Sequence, residues 1–529
     1  MRSLVTMLLC FAIGGLIALP TLAQEEGDFR TRDSGDWSNP QIWERYNGSA
    51  WVAFGEPPTG SETITVVGTE EASDSVFVDV EVTVTGTLVL QGIVESNETL
   101  TIGDGGVLQY DRDGGGMPLA TWAEGSTLLI TGVVATAPED RNQDYHHIVF
   151  DTPGLLSNLN MDLNGATVSG DIRVVQTGLA RWYLTSATAE DSSEVTILGD
   201  VIVEGGNFAV QGTSNVSTTF IVHHYGNIIV SQEDEEVSTN FSISRGSQPL
   251  GTTTWYLYEG DFSMSSATTQ SSTATPGGAK FVFASEDRQT LTLGDDVEFS
   301  ALPIEVSSGT TLDMGMSTLG GGGNFVLNEG GAIATAVPGG IAEIFADVVA
   351  EVTIEENSGF EFNGSTAQIT SELMPAVVSD LTIDNPEGVT LSQETTINGT
   401  LRLVSGVFDN TISFTLGPQG ELSIEGGSLL VDVSSESETE VPQTLVVHQN
   451  FPNPFNPSTV IRYGLPAASD VTIRIYNVLG QEVRRLFEGL KPAGEHQVIF
   501  RAEGLGSGTY IYRVESGNRS LSRSMVLIE

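Results

Sequence analysis

Short runs of alternating apolar and polar residues, cut every few positions by Gly, Asn, Asp or Pro, fill almost the whole chain. Alternation with a period of two buries one face of a strand and wets the other, and runs this short leave no room for an amphipathic helix. Val80, Val82 and Val84 alternate with Glu81, Thr83 and Thr85; after Gly86, Leu88 and Leu90 resume the pattern around Val89. Leu381-Thr382-Ile383 is followed by a turn at Asn385-Pro386-Glu387-Gly388 and then by Val389-Thr390-Leu391, while Leu401-Arg402-Leu403 follows Asn398-Gly399. The chain is expected to be all-β.

An irregular repeat narrows the architecture. Gly170-Asp171-Ile172, Gly199-Asp200-Val201, Gly226-Asn227-Ile228 and Gly260-Asp261-Phe262 each open a short apolar strand, with their glycines 29, 27 and 34 residues apart. Trp182-Tyr183-Leu184 recurs as Trp255-Tyr256-Leu257. Spacings of this size suit the coils of a right-handed, β-helix-like solenoid, in which each coil stacks on its neighbours and loops of varied length leave at the corners. A string of β-sandwiches also uses short, regularly spaced strands. The stretch from Gly420 to Leu429, with three-residue strands between glycines, favours the solenoid because sandwich strands are longer.

Arg2, an apolar run over residues 4–19, Pro20 and the small-residue site at Ala23 have the layout of a secretory signal peptide, with cleavage expected after Ala23. The only cysteine, Cys10, lies inside it, so the mature protein is expected to have neither disulfides nor a thiolate nucleophile. Acidic residues number 69 against 21 basic, which argues against nucleic acid or anionic lipid as partners. That charge is uneven: residues 446–529 carry nine basic and seven acidic side chains, so the preceding 445 residues hold a net −50. A polar stretch from Ser434 to Pro442 sits at the change and reads as a linker. The expected organisation is a signal peptide over 1–23, a glycine-rich β domain over 24–135, the solenoid body over 136–433, a linker over 434–445 and a separate β domain over 446–529.

The last domain carries the most specific motif. Asn450-Phe451-Pro452-Asn453-Pro454-Phe455-Asn456-Pro457-Ser458-Thr459 has three prolines that remove donors and stiffen an extended segment, leaving Phe455 as an apolar anchor. Val471, Ile473 and Ile475 then share one face, Tyr476-Asn477 leads to a turn at Leu479-Gly480-Gln481, and Glu482-Val483 begins the return. Gly494 and Gly508 introduce further strands, the second placing Tyr510, Tyr512 and Val514 on one face. Six or seven strands in about 85 residues make a small sandwich. These residues resemble the type A C-terminal sorting domain of type IX secretion cargo. The resemblance implies an immunoglobulin-like β-sandwich, a Gram-negative source, engagement of the outer-membrane secretion machinery, and delivery to the cell surface or medium. Phe451 stands where that family often has tyrosine, and Glu529 where a lysine is common.

At the other end, Trp37, Trp43 and Trp51 with Pro57-Pro58 look like the start of a glycine-rich domain found in secreted bacterial solenoid proteins. The three rings are candidates for a sugar-stacking platform or for an apolar cap over the first coil. His146-His147 and His223-His224 are adjacent pairs, and neighbours on a strand point to opposite faces, so neither makes a metal site alone. Asp104, and Asp111 with Asp113 before Gly114-Gly115-Gly116, resemble fragments of calcium loops but equally suit solvated turns. No cofactor is expected, with calcium the one ion left open, and no catalytic motif is present. The expected function is structural or adhesive binding at the surface, with polysaccharide or a surface glycan as partner. The alternative is a polysaccharide lyase or glycoside hydrolase on the same scaffold.

Overall fold

The computed structural model describes residues 24–68, 74–97, 99–185, 192–211, 219–234, 236–244, 252–266, 268–270, 278–295, 297–299, 302–348, 350–430 and 442–528. The signal segment over 1–23 and residues 434–441 of the polar stretch lie outside the described residues. Within them the protein is all-β: the helical elements among the described residues are one 3-10 turn, Pro40–Ile42, and one four-residue helix, Ile341–Ile344. The chain forms two units. One runs to residue 129 and includes 138–140; the other comprises 130–137 and everything from 141 onward.

The first unit opens with an antiparallel turn-back and then changes to parallel pairing. Phe29–Thr31 pairs antiparallel with Trp43–Tyr46, which pairs antiparallel with Trp51–Ala53. The other edge of Phe29–Thr31 starts a parallel ladder through Thr63–Val66, Thr87–Leu90 and Val107–Tyr110. Two further parallel ladders accompany it: Gly35–Asp36, Ser75–Val78 and Ile93–Ser96, and Val82–Val84, Leu100–Ile102 and Thr121–Trp122. Register places Ile64, Leu88 and Leu108 in one fully buried row. Burying each such side chain stabilises by roughly 1.5–3 kcal/mol relative to exposure.

In the second unit the same construction is extended. One parallel ladder runs through His147–Asp151, Ile172–Gln176, Val201–Val203, Ile228–Val230, Phe262–Met264 and Arg288–Leu293. It continues through Thr311–Asp313, Ala332–Thr335, Gly359–Phe362, Leu381–Asp384, Thr400–Ser405 and Glu421–Ile424. A second parallel ladder links Thr167–Val168, Ser192–Ile197, Thr219–His224, Thr253–Leu257, Ala279–Phe283, Ile304–Val306, Phe325–Leu327 and Val352–Ile354. A third begins Leu159–Asn160, Arg181–Tyr183, Gly206–Gln211 and Thr239–Ser244, stacking Trp182, Phe208 and Phe241. Inward rows in register, such as Ile148, Ile172, Val201, Ile228, Phe262 and Leu291, are buried along their length.

The repeat read from the sequence is the corner that precedes the first of these ladders. A Cβ on Gly199 would lie 2.4 Å from the carbonyl carbon of Gly170; on Gly226, 2.2 Å from the Gly199 oxygen; on Gly260, 2.5 Å from the Gly226 oxygen. Only glycine permits backbones to approach this closely. The next residue forms a polar ladder. The Asp200 N–H donates to Asp171 Oδ1 at 2.8 Å, Asn227 N–H to Asp200 Oδ1 at 2.7 Å, Asp261 N–H to Asn227 Oδ1 at 2.9 Å, and Thr290 N–H to Asp261 Oδ1 at 2.7 Å. Each carboxylate or amide thus satisfies a backbone donor at the start of the following strand of the ladder.

In residues 442–528 the strands pair antiparallel, and the parallel pairing is confined to isolated bridges such as Phe455–Leu527. Val446–Val447, Ser458–Leu465 and Gly494–Arg501 form one antiparallel sheet. Glu482–Lys491, Ser469–Asn477, Gly508–Ser516 and Arg519–Leu527 form another, and both contribute to one apolar cluster that includes Phe455, Tyr463, Ile473, Phe500 and Tyr512.

A Gly226→Ala chain is expected to lose about 1–3 kcal/mol of stability, because the new methyl group must push the backbone at Gly226 away from that at Gly199. Gly154→Ala, whose Cβ would meet its nearest atom at 3.9 Å, is expected to change little. The urea midpoints of the two variants, compared with the parent, measure the difference.

Candidate functional site

The leading segment of the C-terminal domain is held by a compact set of buried polar groups. The Tyr512 hydroxyl donates to the His448 carbonyl at 2.6 Å and accepts the Asn450 N–H at 2.9 Å. Burial pushes its pKa up to about 12, so it remains a donor across the physiological range. Asn450, itself buried, donates through Nδ2 to the Pro452 carbonyl at 3.0 Å and to Thr459 Oγ1 at 2.9 Å, while Thr459 Oγ1 donates to the same carbonyl at 2.8 Å. The Phe451–Pro452 and Asn453–Pro454 peptide bonds are cis.

This segment then secures the last strand. Asn453 Oδ1 accepts the Val526 N–H at 2.8 Å, the Phe455 N–H donates to the Val526 carbonyl at 2.9 Å, and the Ile528 N–H returns to the Phe455 carbonyl at 3.0 Å. Phe455 is buried and meets Phe500 edge-on with centroids 6.0 Å apart, whereas Phe451 is half exposed. The three prolines leave the backbone few donors of its own, and the segment is tied down by the Asn450 side chain as donor and the Asn453 side chain as acceptor.

At the hairpin, Asn477 Oδ1 accepts the N–H groups of both Leu479 and Gln481 at 3.0 Å, and Gly480 has φ +77°. The tip presents Val478 and Leu479 to solvent. Behind it Arg474 bridges Glu482 at 2.8 Å and Glu515 at 2.9 Å, and Arg485 also reaches Glu482 at 2.7 Å. Those bonds, Arg485 first and then Arg474, hold the Glu482 carboxyl down at about 2. The Arg513 guanidinium lies 5.2 Å from the Tyr476 ring, and the Tyr510 hydroxyl donates to the Gly506 carbonyl at 2.7 Å. Gly494 and Gly508 take φ +123° and +152° where their strands begin. Asn456 and Pro457 face the last strand of the long parallel ladder: Pro457 bridges to Leu422, Asn456 Nδ2 donates to Glu421 Oε1 at 3.4 Å, and the nearby Arg501 donates to the Ile424 carbonyl.

The other sequence candidates are dispersed. Trp37 and Trp43 are 1% and 0% exposed, packed edge-to-face at 5.1 Å. The Trp43 ring N–H donates to the Trp37 carbonyl at 2.9 Å and that of Trp37 to Pro58 at 3.3 Å. Only Trp51 retains partial exposure, with the Arg30 guanidinium 4.6 Å from its ring, so the three tryptophans do not form one solvent-facing platform. Asp111 accepts from Gln91 Nε2 at 2.9 Å, and Asp104 lies in a turn against Gly125. Asp113 is exposed. Among the described residues no three His, Cys, Asp or Glu side chains are grouped as a metal ion would require.

The two histidine pairs differ: the His146 and His147 rings meet edge-to-face with centroids 4.2 Å apart, both against Gly170, contrary to the expectation of opposite faces, whereas His223 and His224 divide between faces. His147 Nδ1 accepts the Asp171 N–H at 2.9 Å, and burial together with the neighbouring His146 holds its pKa below the usual histidine value. His224 points inward, in register between Ile197 and Leu257, where Nε2 donates to the Gly199 carbonyl at 2.8 Å. Its partner His223 points outward, beside Tyr225, Tyr256 and Tyr258. Sequence reasoning did not find this aromatic group. Its signal was the recurrence of outward aromatic positions in His223-His224-Tyr225 and Tyr256-Leu257-Tyr258, readable only once the register of the two strands is known.

Residues 449–529 match the family described as the secretion system C-terminal sorting domain. No curated protein and no solved structure matches the chain. The sorting domain makes the protein a cargo of type IX secretion, and the protein is exported to the cell surface or the extracellular space.

Burial pushes the His224 imidazole from 6.5 down to about 4, so the folded protein resists a proton that the unfolded chain accepts. Stability from this residue is therefore complete above 6.5 and is lost as pH falls from 6.5 towards 4, by up to roughly 3 kcal/mol. Denaturant unfolding of the parent and of His224→Gln at pH 7.5 and 4.5 should show a smaller acid-side loss in the variant. Separately, Tyr512→Phe leaves the buried Asn450 donor without its acceptor and is expected to cost the C-terminal domain about 1–3 kcal/mol, read from its thermal midpoint.

Proposed function

We propose that this protein is a surface-delivered adhesive or structural protein whose body is a right-handed β-solenoid and whose C-terminal domain is an immunoglobulin-like β-sandwich. In this reading residues 1–23 are removed on export, residues 24–135 and 136–433 form the functional part, and residues 434–445 connect it to the sorting domain over 446–529. The observation that carries the adhesive reading is the repetition of outward positions at each strand of the long parallel ladders. A face built this way offers the same contact at intervals of ~4.8 Å, which turns weak single contacts into useful avidity.

The condition of the basic residues favours binding over turnover. A lyase uses an unencumbered arginine or lysine to take up a proton or to steady an enolate. Here Lys280 is paired with Glu305 at 2.8 Å, Arg173 with Glu204 at 2.8 Å, Arg402 with Glu425 at 2.8 Å, and Arg288 with both Asp313 and Glu361. These are the ion pairs of a surface that keeps its strands in register across coils. They make the polysaccharide-degrading alternative the weaker one.

Expression in a host competent for type IX secretion tests the reading. The full chain should appear on the surface or in the medium, while a chain ending at Glu440 should remain in the periplasm. Incubation of the exported protein with a panel of polysaccharides should release no new reducing or unsaturated ends. Equal export of both chains would remove the sorting role, and product release would replace adhesion with catalysis.

A further inference from the structure

On the outer face of the second parallel ladder, two adjacent strands bring four rings together. His223 and Tyr256 are register partners, with centroids 6.1 Å apart and planes within 10°. Tyr258 lies 5.8 Å from His223 and 5.9 Å from Tyr256, with interplanar angles of 9° and 11°. Three nearly parallel rings at the corners of a near-equilateral triangle cannot all be piled face over face, so part of the group lies side by side. Tyr225 extends it, 5.0 Å from Tyr258 at 25°, and is 37% exposed. One strand earlier Leu198 is 47% exposed, continuing the apolar surface.

The group is also oriented by polar contacts. His223 Nδ1 and the Tyr258 hydroxyl are 3.0 Å apart, and His223 Nε2 lies 3.8 Å from Glu194 Oε2, which fixes the imidazole from both sides. Glu194 flanks one side, and the Lys280–Glu305 pair lies on the next two strands. Aligned rings with hydrogen-bonding groups at their edges differ from a core cluster: each ring keeps partial exposure, greatest at Tyr225, and donors and acceptors lie at the ring edges.

We propose that Tyr225, Tyr256, Tyr258 and His223 form a binding platform for a neutral polysaccharide of equatorially substituted hexoses. The C–H face of such a sugar is apolar and weakly positive, which suits the negative face of an aromatic ring, while its equatorial hydroxyls reach outward to the polar rim. Successive strands are ~4.8 Å apart, close to the length of one hexose in an extended chain, so a polymer running across the strands meets equivalent positions. Charge selects among polysaccharides. The chain before residue 446 holds a net −50, and uronate or sulfated polymers would approach against that field. This inference rests on the adhesive reading and supplies its ligand class.

The test uses the exported full chain with four probes: cellohexaose, laminarihexaose and gentiohexaose, all built of all-equatorial β-glucose, and, as the polyanion, an alginate hexamer. Titration calorimetry should detect at least one neutral hexamer and weaker or no binding of the alginate hexamer. The triple variant Tyr225→Ala, Tyr256→Ala, Tyr258→Ala should weaken the bound hexamer about tenfold or more. Tyr225→Ala alone, at the most exposed ring, should weaken it measurably without disturbing the fold, and Tyr225→Phe should restore it. Failure of all three neutral hexamers, equal affinity of the Tyr225→Ala and parent chains, or tighter binding of alginate would overturn the proposal. A chain that reaches the surface but binds none of them refutes the platform and leaves delivery intact; a chain that binds but is not exported does the reverse.

Discussion

Parallel backbone pairing between one pass of the chain and the next is the interaction on which the rest of this protein depends. Ile172 lies in register between Ile148 and Val201, and all three are fully buried. The ladder therefore supplies both the hydrogen bonds and the core, and a slip of one residue would turn an entire row from inside to outside. That sensitivity explains why the corners are so closely specified. Gly199, Gly226 and Gly260 let successive backbones touch, and Asp171, Asp200, Asn227 and Asp261 each bond to the next strand of the ladder. Register is set at the corner before the apolar residues are reached.

The same ladder concentrates charge. Equivalent outward positions in adjacent strands are neighbours, and a chain with 69 acidic residues would place carboxylates beside one another unless other groups intervened. Asn227 stands between Asp200 and Asp261 in the corner ladder, and arginines form cross-strand pairs such as Arg173–Glu204 and Arg402–Glu425. Exposed pairs of this kind contribute little stability each. Their effect is to make the charge pattern compatible with the register. The platform of His223 and three tyrosines occupies an interval of the second ladder where aromatic rings take the outward rows.

The C-terminal domain follows a different physical plan. Its strands are antiparallel and its apolar cluster draws on both of its own sheets. Its distinctive proline-rich segment is fixed by Asn450, Thr459, Tyr512 and Asn453, and through Phe455 it secures the last strand of the chain. It also meets the end of the long parallel ladder, where Arg501 and Pro457 approach Glu421–Ile424. An exposed edge of parallel sheet would otherwise offer unpaired donors and acceptors to another chain.

Much of this was legible in the amino-acid sequence. Period-two alternation determined that the chain is all-β, the long ordered motif from Asn450 marked the sorting domain, and the recurring Gly-Asp and Gly-Asn pairs marked strands that lie in one ladder. Each of these is a local property, written in neighbouring residues. The aromatic candidates show the limit. Trp37, Trp43 and Trp51 are close in sequence, yet two of them are buried with their ring N–H groups bonded to carbonyls. Tyr225 and Tyr258 are 33 residues apart and share one exposed surface. Which rings face water, and which meet, follows from the register between strands far apart in sequence; register depends on loop lengths and corner contacts that only the tertiary structure decides.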